Sequence, residues 1–192
     1  MKLMYGVGIN DANYSVTRHE KKKIAWICPF YSTWRHMLER CYYEKYKSSK
    51  PSYDGCHVCQ EWLTFSNFKK WMECQHWEGR YLDKDILVEG NKLYSAETCV
   101  FVDRRTNTFL IDRGAARGEW PIGVSKKKSS GKFQANCRNT FSGKGEYLGY
   151  FDSPVDAHCA WRKRKHELAC KLAEIQDDPR VSAALIRRFK GQ

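Results

Sequence analysis

Apolar positions recur along this chain with two different periods, and the change from one to the other divides it. Trp34, Met37, Leu38 and Cys41 follow i, i+3, i+4, i+7 spacing, which predicts a helix capped at Ser32. Phe65, Phe68, Trp71 and Met72 share one face of a second predicted helix over 65–74, with Ser66 as its N-cap. Both aromatic sets read as core rather than as platforms for stacking bases. The glycines and the Asn-Asp pair of 5–16 read as strand or loop, His19 to Lys23 as a solvated turn, and the polar stretch 43–55 as a break. Further on, YLDKDIL and CVFV are strand-like pieces separated by a turn at Gly90 and Asn91. The segment 113–121 has neither period, carries Gly114, Gly118 and Pro121, and reads as a linker.

Beyond the linker the period becomes two. In FQANCRN, Phe133, Ala135 and Cys137 point one way, and Gln134, Asn136 and Arg138 the other. IGVSKK before it and EYLGYF after it, joined by turns at Ser129–Lys132 and FSGKG, predict a three-stranded antiparallel sheet. Ser153, Pro154 and Asp156 supply an N-cap, a proline at the first helical position and an acid at the third. The predicted helix runs from 154 to about 176, with Ala157, Trp161, Leu168, Leu172 and Ile175 along its apolar face. Packed on the sheet, it leaves the other sheet face polar and exposed. After Pro179, VSAALIRRF predicts a short basic amphipathic helix. The expected class is therefore α+β, with an N-terminal module over 1–112, a sheet-and-helix module over 122–176 and a basic tail or short helix over 177–192.

Charge sharpens this picture. The 192 residues carry a net charge of +12. Residues 1–112 hold 17 basic and 14 acidic side chains, net +3, while 113–192 hold 17 and 8, net +9. A polyanion is the expected partner, with nucleic acid ahead of an anionic membrane surface. No stretch approaches the roughly 20 apolar residues that span a bilayer. The opening residues lack the apolar run of a secretory signal, so a cytoplasmic location is expected. The nine cysteines are odd in number and read mostly as reduced, buried thiols. Cys56 and Cys59 form one CxxC with no second at ribbon spacing. Cys41, Cys74, Cys99 or His76 would have to complete a structural zinc site there. No Ser-His-Asp or Cys-His nucleophile and no glycine-rich phosphate loop is legible.

The outward face of the sheet carries the chemistry of groove recognition. Arg138 can offer a bidentate fork to guanine, and Gln134 and Asn136 can pair with adenine. Ser125, Lys126, Lys127, Lys128, Lys132 and Lys144 lie on the flanking strand and turns, where phosphates would run, and Tyr147 can pack on sugar or a thymine methyl. A solvated sheet face with lysine-rich turns is the plainer alternative.

The segment GVSKKKSSGKFQANCRNT with EYLGYFDSPVDAHCAW resembles the Apetala-two / ethylene-response-factor DNA-binding domain over roughly 55 residues. Gly123, Val124, Gly131, Lys132, Phe133, Ala135, Leu148, Gly149, Phe151, Ala157 and Trp161 occupy matching places, and Tyr147 stands where that family usually has tryptophan. The resemblance implies a sheet that reads the major groove of duplex DNA.

LDKDILVEGNKLYSAETCVFVDRRTN resembles an HNH nuclease motif of the ββα type, and the wider N-terminal stretch resembles tailed-phage homing endonucleases, a class of mobile element. Asp83 falls at the metal-binding acid, Gly90, Asn91 and Lys92 at the turn, Glu97 ahead of the motif asparagine, and Asn107 at the terminal metal ligand. Lys84 stands at the general-base histidine and Thr98 at the central asparagine. A protonated lysine cannot take a proton from water as imidazole does. The resemblance implies an endonuclease that nicks or cuts DNA, with Asp83, Asp85 and Asn107 holding Mg²⁺ or Mn²⁺ and Lys84 steadying the phosphate. The competing expectation is a non-cleaving derivative that occupies an operator and represses transcription. A palindromic target would imply a homodimer.

Overall fold

The computed structural model describes residues 3–110 and 119–190 and separates into two units, Met1–Asp103 and Arg104–Gln192. Both mix helices with small sheets, so the class is α+β.

The first unit opens with a hairpin of β1 (Thr17–Glu20) and β2 (Lys23–Ile27), which places the HEKKK run at a strand-flanked turn. Helix α1 (Pro29–Tyr42) follows. It starts ahead of the expected Ser32 cap because Pro29 occupies the first helical position, where the missing N–H costs nothing. Its buried face holds Trp34, Met37, Leu38 and Cys41, as the apolar spacing predicted, and adds Tyr31. The stretch expected to break it instead forms α2 (Glu44–Ser49) and a 3-10 turn over Pro51–Tyr53. A Lys47–Glu44 pair at 3.1 Å supports that short helix.

The two-residue strand β3 (His57–Val58) precedes α3 (Phe65–Glu73). Ser66 does not cap α3. Its own amide and hydroxyl donate to the carboxylate of Asp11, at 2.9 and 2.5 Å, so the cap arrives from 55 residues upstream. Strands β4 (Tyr81–Asp83), β5 (Leu93–Tyr94) and β6 (Val100–Val102) complete the unit. β5 pairs parallel with β3, and β6 antiparallel with β4. The core is aromatic: Trp34 Nε1 donates to the Trp62 carbonyl at 2.7 Å, and Trp62 meets Phe68 edge to face.

The second unit begins with α4 (Arg104–Leu110), so the division falls between Asp103 and Arg104 rather than at the expected 112/113. Residues 113–118 of the expected linker lie outside the described residues. Strands β7 (Val124–Lys126), β8 (Phe133–Arg138) and β9 (Gly145–Phe151) form an antiparallel sheet in the order β7-β8-β9. Helix α5 (Pro154–Ala173) is capped as predicted, the Ser153 side chain accepting from the amides of Val155 and Asp156. It ends short of 176, which leaves Ile175 56 % exposed rather than on the buried face. Ala157, Trp161, Leu168 and Leu172 are buried.

Helix α6 (Pro179–Phe189), capped by the Asp178 side chain, packs on α5 through Val181, Ala184 and Leu185. The basic C-terminal segment is thus part of the unit's core. Thr106 and Phe109 of α4 are buried in the same unit, with Phe109 edge-on to Phe189 at 5.3 Å. Among the described residues no helix is long and apolar enough to cross a membrane.

Candidate nucleic-acid interface

Strand β8 is central and sorts its side chains cleanly. Phe133, Ala135 and Cys137 are buried under α5, whereas Gln134, Asn136 and Arg138 are half-buried or exposed on the opposite face. Ser125 sits across from Gln134 on β7, and Tyr150 across from Gln134 on β9. Asn136 faces Tyr147. The outer face therefore carries a row of Ser125, Gln134 and Tyr150, a row of Asn136 and Tyr147, and Arg138 beyond them. Gln134 Nε2 donates to Asn136 Oδ1 at 3.2 Å, which orients both amides. Tyr147 and Tyr150 are 56 % and 46 % exposed, with ring centroids 5.4 Å apart.

Strict alternation would turn Tyr147 and Tyr150 to opposite faces. The register slips between Ala135 and Asn136, opposite Gly149, whose φ of +131° glycine tolerates without a Cβ penalty. The slip lets Leu148 and Phe151 both reach the core while both tyrosines face out. Sequence reasoning missed Tyr150 for this reason. The available signal was the isolated glycine inside a strand pattern, which marks a bulge.

The expected basic residues divide. Lys127, Lys128 and Lys144 are exposed on the turns. Lys132 is exposed as well but pairs with Asp152 at 3.2 Å. Lys126 is opposite Phe133, on the inner-face row, and its ammonium lies 5.6 Å from the Phe133 ring and 5.8 Å from that of Trp120. It covers the sheet edge rather than joining the outer rows.

Two contacts hold the sheet on α5. Gly123, at φ +81°, lies directly on the Trp161 indole. Glu146, across from Cys137 on the inner side, receives a two-pronged bond from Arg164 at 2.7 and 3.1 Å and another from Asn139 at 2.7 Å. Those bonds, Arg164 first, hold the Glu146 carboxyl down at about 2.

The nuclease-like segment has a different character. Asp83 Oδ1 accepts from the amides of Asp85 and Ile86 at 2.7 and 2.8 Å, closing a turn after β4. Burial pushes the Asp83 carboxyl above its usual range, against the pull of those two amides. Lys84, expected to steady a phosphate, is buried. It is 4 % exposed, and its ammonium donates to Asp85 Oδ1 at 2.7 Å and to the Asn91 carbonyl at 2.5 Å. Burial pulls this ammonium down, yet its bond to Asp85 holds it above the ordinary lysine range. Asn91 returns bonds to the carbonyls of Lys84 and Leu93, and Thr98 donates to Leu93 as well. Asn107 lies on α4, in the other unit.

Asp83 Oδ1 is thus taken by two amides and Asp85 Oδ1 by the Lys84 ammonium. Among the described residues no group of three or more His, Cys, Asp or Glu side chains could hold a metal, Cys56 and Cys59 included. Cys56 is buried and Cys59 half-buried, and burial pushes the nearby Cys41 and Cys99 thiols up to about 12. Compared with family models, with curated proteins and with solved structures, the chain has no match.

Proposed function

We propose that this chain is a sequence-specific duplex-DNA-binding protein that reads the major groove with the outer face of its β7-β8-β9 sheet and does not cleave. The observation that carries the reading is the β8 row: Gln134, Asn136 and Arg138 share the face that α5 leaves uncovered, with Tyr147 and Tyr150 beside them. Three strands at about 4.8 Å spacing make a ribbon roughly 10 Å across, against a groove about 12 Å wide. Arg138 takes a guanine edge, Gln134 and Asn136 take adenines, and the tyrosines pack on sugars or thymine methyls. Lys127, Lys128, Lys132 and Lys144 bind phosphates and fix the register, Lys132 leaving Asp152 to do so.

The non-cleaving form, a regulator that occupies its site, is favoured by the ion pair of buried Lys84 with the partly exposed Asp85, which gives the segment a structural task. Selection from a random duplex pool tests the reading. The protein should enrich one short motif, and Arg138→Ala should relax the preference at one position at a cost of about 1–3 kcal/mol. An unenriched pool would rule out specific readout, and a palindromic motif would call for two copies of the chain.

A further inference from the structure

The β1–β2 hairpin stands out from the first unit. Residues 18–26 are exposed without interruption, so neither face of the ribbon has a core to cover. Only its base is packed: Val16 and Ile27 touch the aromatic core, and the Cys28 amide donates to the Val16 carbonyl at 2.8 Å just before α1. A lone two-stranded hairpin is marginally stable in water, so its own packing is a weak reason to keep one.

Its tip is built against local preference. Lys21 and Lys22 form the turn at φ +48° and +63°, where hairpins of this kind use Asn-Gly. Two adjacent lysines in the left-handed region carry backbone strain as well as mutual repulsion. Lys23 adds a third cation, and Arg18 stacks 4.9 Å from the ring of Trp26, its cross-strand partner. Ile24 and Trp26 are 59 % and 40 % exposed.

We propose that this hairpin is a second DNA-contacting arm, its tip lysines on phosphates and its Trp26 side along the groove wall. The inference rests on the reading that the chain binds duplex DNA. It adds a contact in a different unit from the sheet, with the polyanion chosen by the cations clustered at a strained tip.

The test uses the full chain and its selected duplex. Lys21→Gln/Lys22→Gln/Lys23→Gln should bind more weakly and lower the slope of log affinity against log salt by about 2–3, while the selected motif stays the same. Lys21→Asn/Lys22→Gly separates contact from folding. It relieves the turn, so the melting temperature should rise by roughly 2–4 °C while affinity falls.

Unchanged affinity and slope in both variants, with Arg138→Ala still losing its preference, would overturn the arm and leave the sheet reading intact. If the parent chain ignores duplexes altogether, both fall. If the variants keep duplex binding but lose binding to anionic phosphatidylserine vesicles, the hairpin is a membrane contact and the proposal is wrong.

Discussion

Gly123 lies so close to Trp161 that a β-carbon placed on it would overlap the indole ring. The backbone there is at φ +81°, so substitution meets both a conformational penalty and a clash with a buried side chain. His158 stacks against the same indole, ring centroids 5.4 Å apart, and its ring bonds the Ile122 carbonyl at 3.0 Å, so the indole has little room to yield. Gly123→Ala should cost about 2–4 kcal/mol of stability in chemical denaturation of the whole chain. Trp161→Phe in the same background should recover part of that loss by shrinking the obstacle.

The Glu146–Arg164 pair predicts an acid limb. Glu146 titrates near 2 in the folded chain and near its ordinary 4.5 once unfolded. The unfolded chain therefore binds the extra proton in between, and the pair's contribution is complete above 4.5 and disappears as pH falls toward 2. Arg164→Met should flatten that part of the denaturation profile while costing about 1 kcal/mol near neutrality.

Lys165 predicts the opposite limb. Burial beside Phe109 and Phe189 holds its ammonium down at about 8, although it donates to the Phe109 carbonyl at 2.8 Å. The unfolded side chain keeps its proton up to about 10.5, so the folded state gains stability as pH rises between the two values. The denaturation midpoint of Lys165→Met relative to wild type should therefore be higher at pH 7.5 than at pH 9.5.

The turn after β4 should matter for folding and not for DNA cleavage. Asp83→Ala leaves two partly buried amides without their acceptor and should cost about 2 kcal/mol. Supercoiled plasmid bearing the selected site should stay intact with the wild-type protein in Mg²⁺ or Mn²⁺. Nicks made by wild type and lost in Asp83→Ala/Asp85→Ala would instead establish a nuclease.

What could be read from sequence was whatever depended on local spacing. The apolar faces of α1 and α5, the Ser153 cap and the inward and outward sides of β8 all follow from period and from cap chemistry. What escaped depends on partners distant in the chain or on broken periodicity. Asp11 caps α3 from 55 residues away, and no neighbouring residue signals it. α4 and α6 belong to the core of the second unit because Thr106, Phe109 and Val181 are buried there, a relation that linear charge and glycine content conceal. The bonds of the Lys84 ammonium to Asp85 and to the Asn91 carbonyl, seven residues on, are likewise invisible in spacing. The bulge at Gly149 hid Tyr150 from any strict two-residue alternation.

The central claim is that the uncovered face of β8 recognises duplex DNA. The most direct measurement is competition binding of the full chain to its selected duplex against unrelated duplex at one fixed salt concentration, for wild type and for Gln134→Ala/Asn136→Ala/Arg138→Ala. The account predicts strong discrimination by wild type and near loss of it in the triple variant, whose residual binding keeps its salt dependence because the turn lysines remain. Equal discrimination by the two proteins would contradict it.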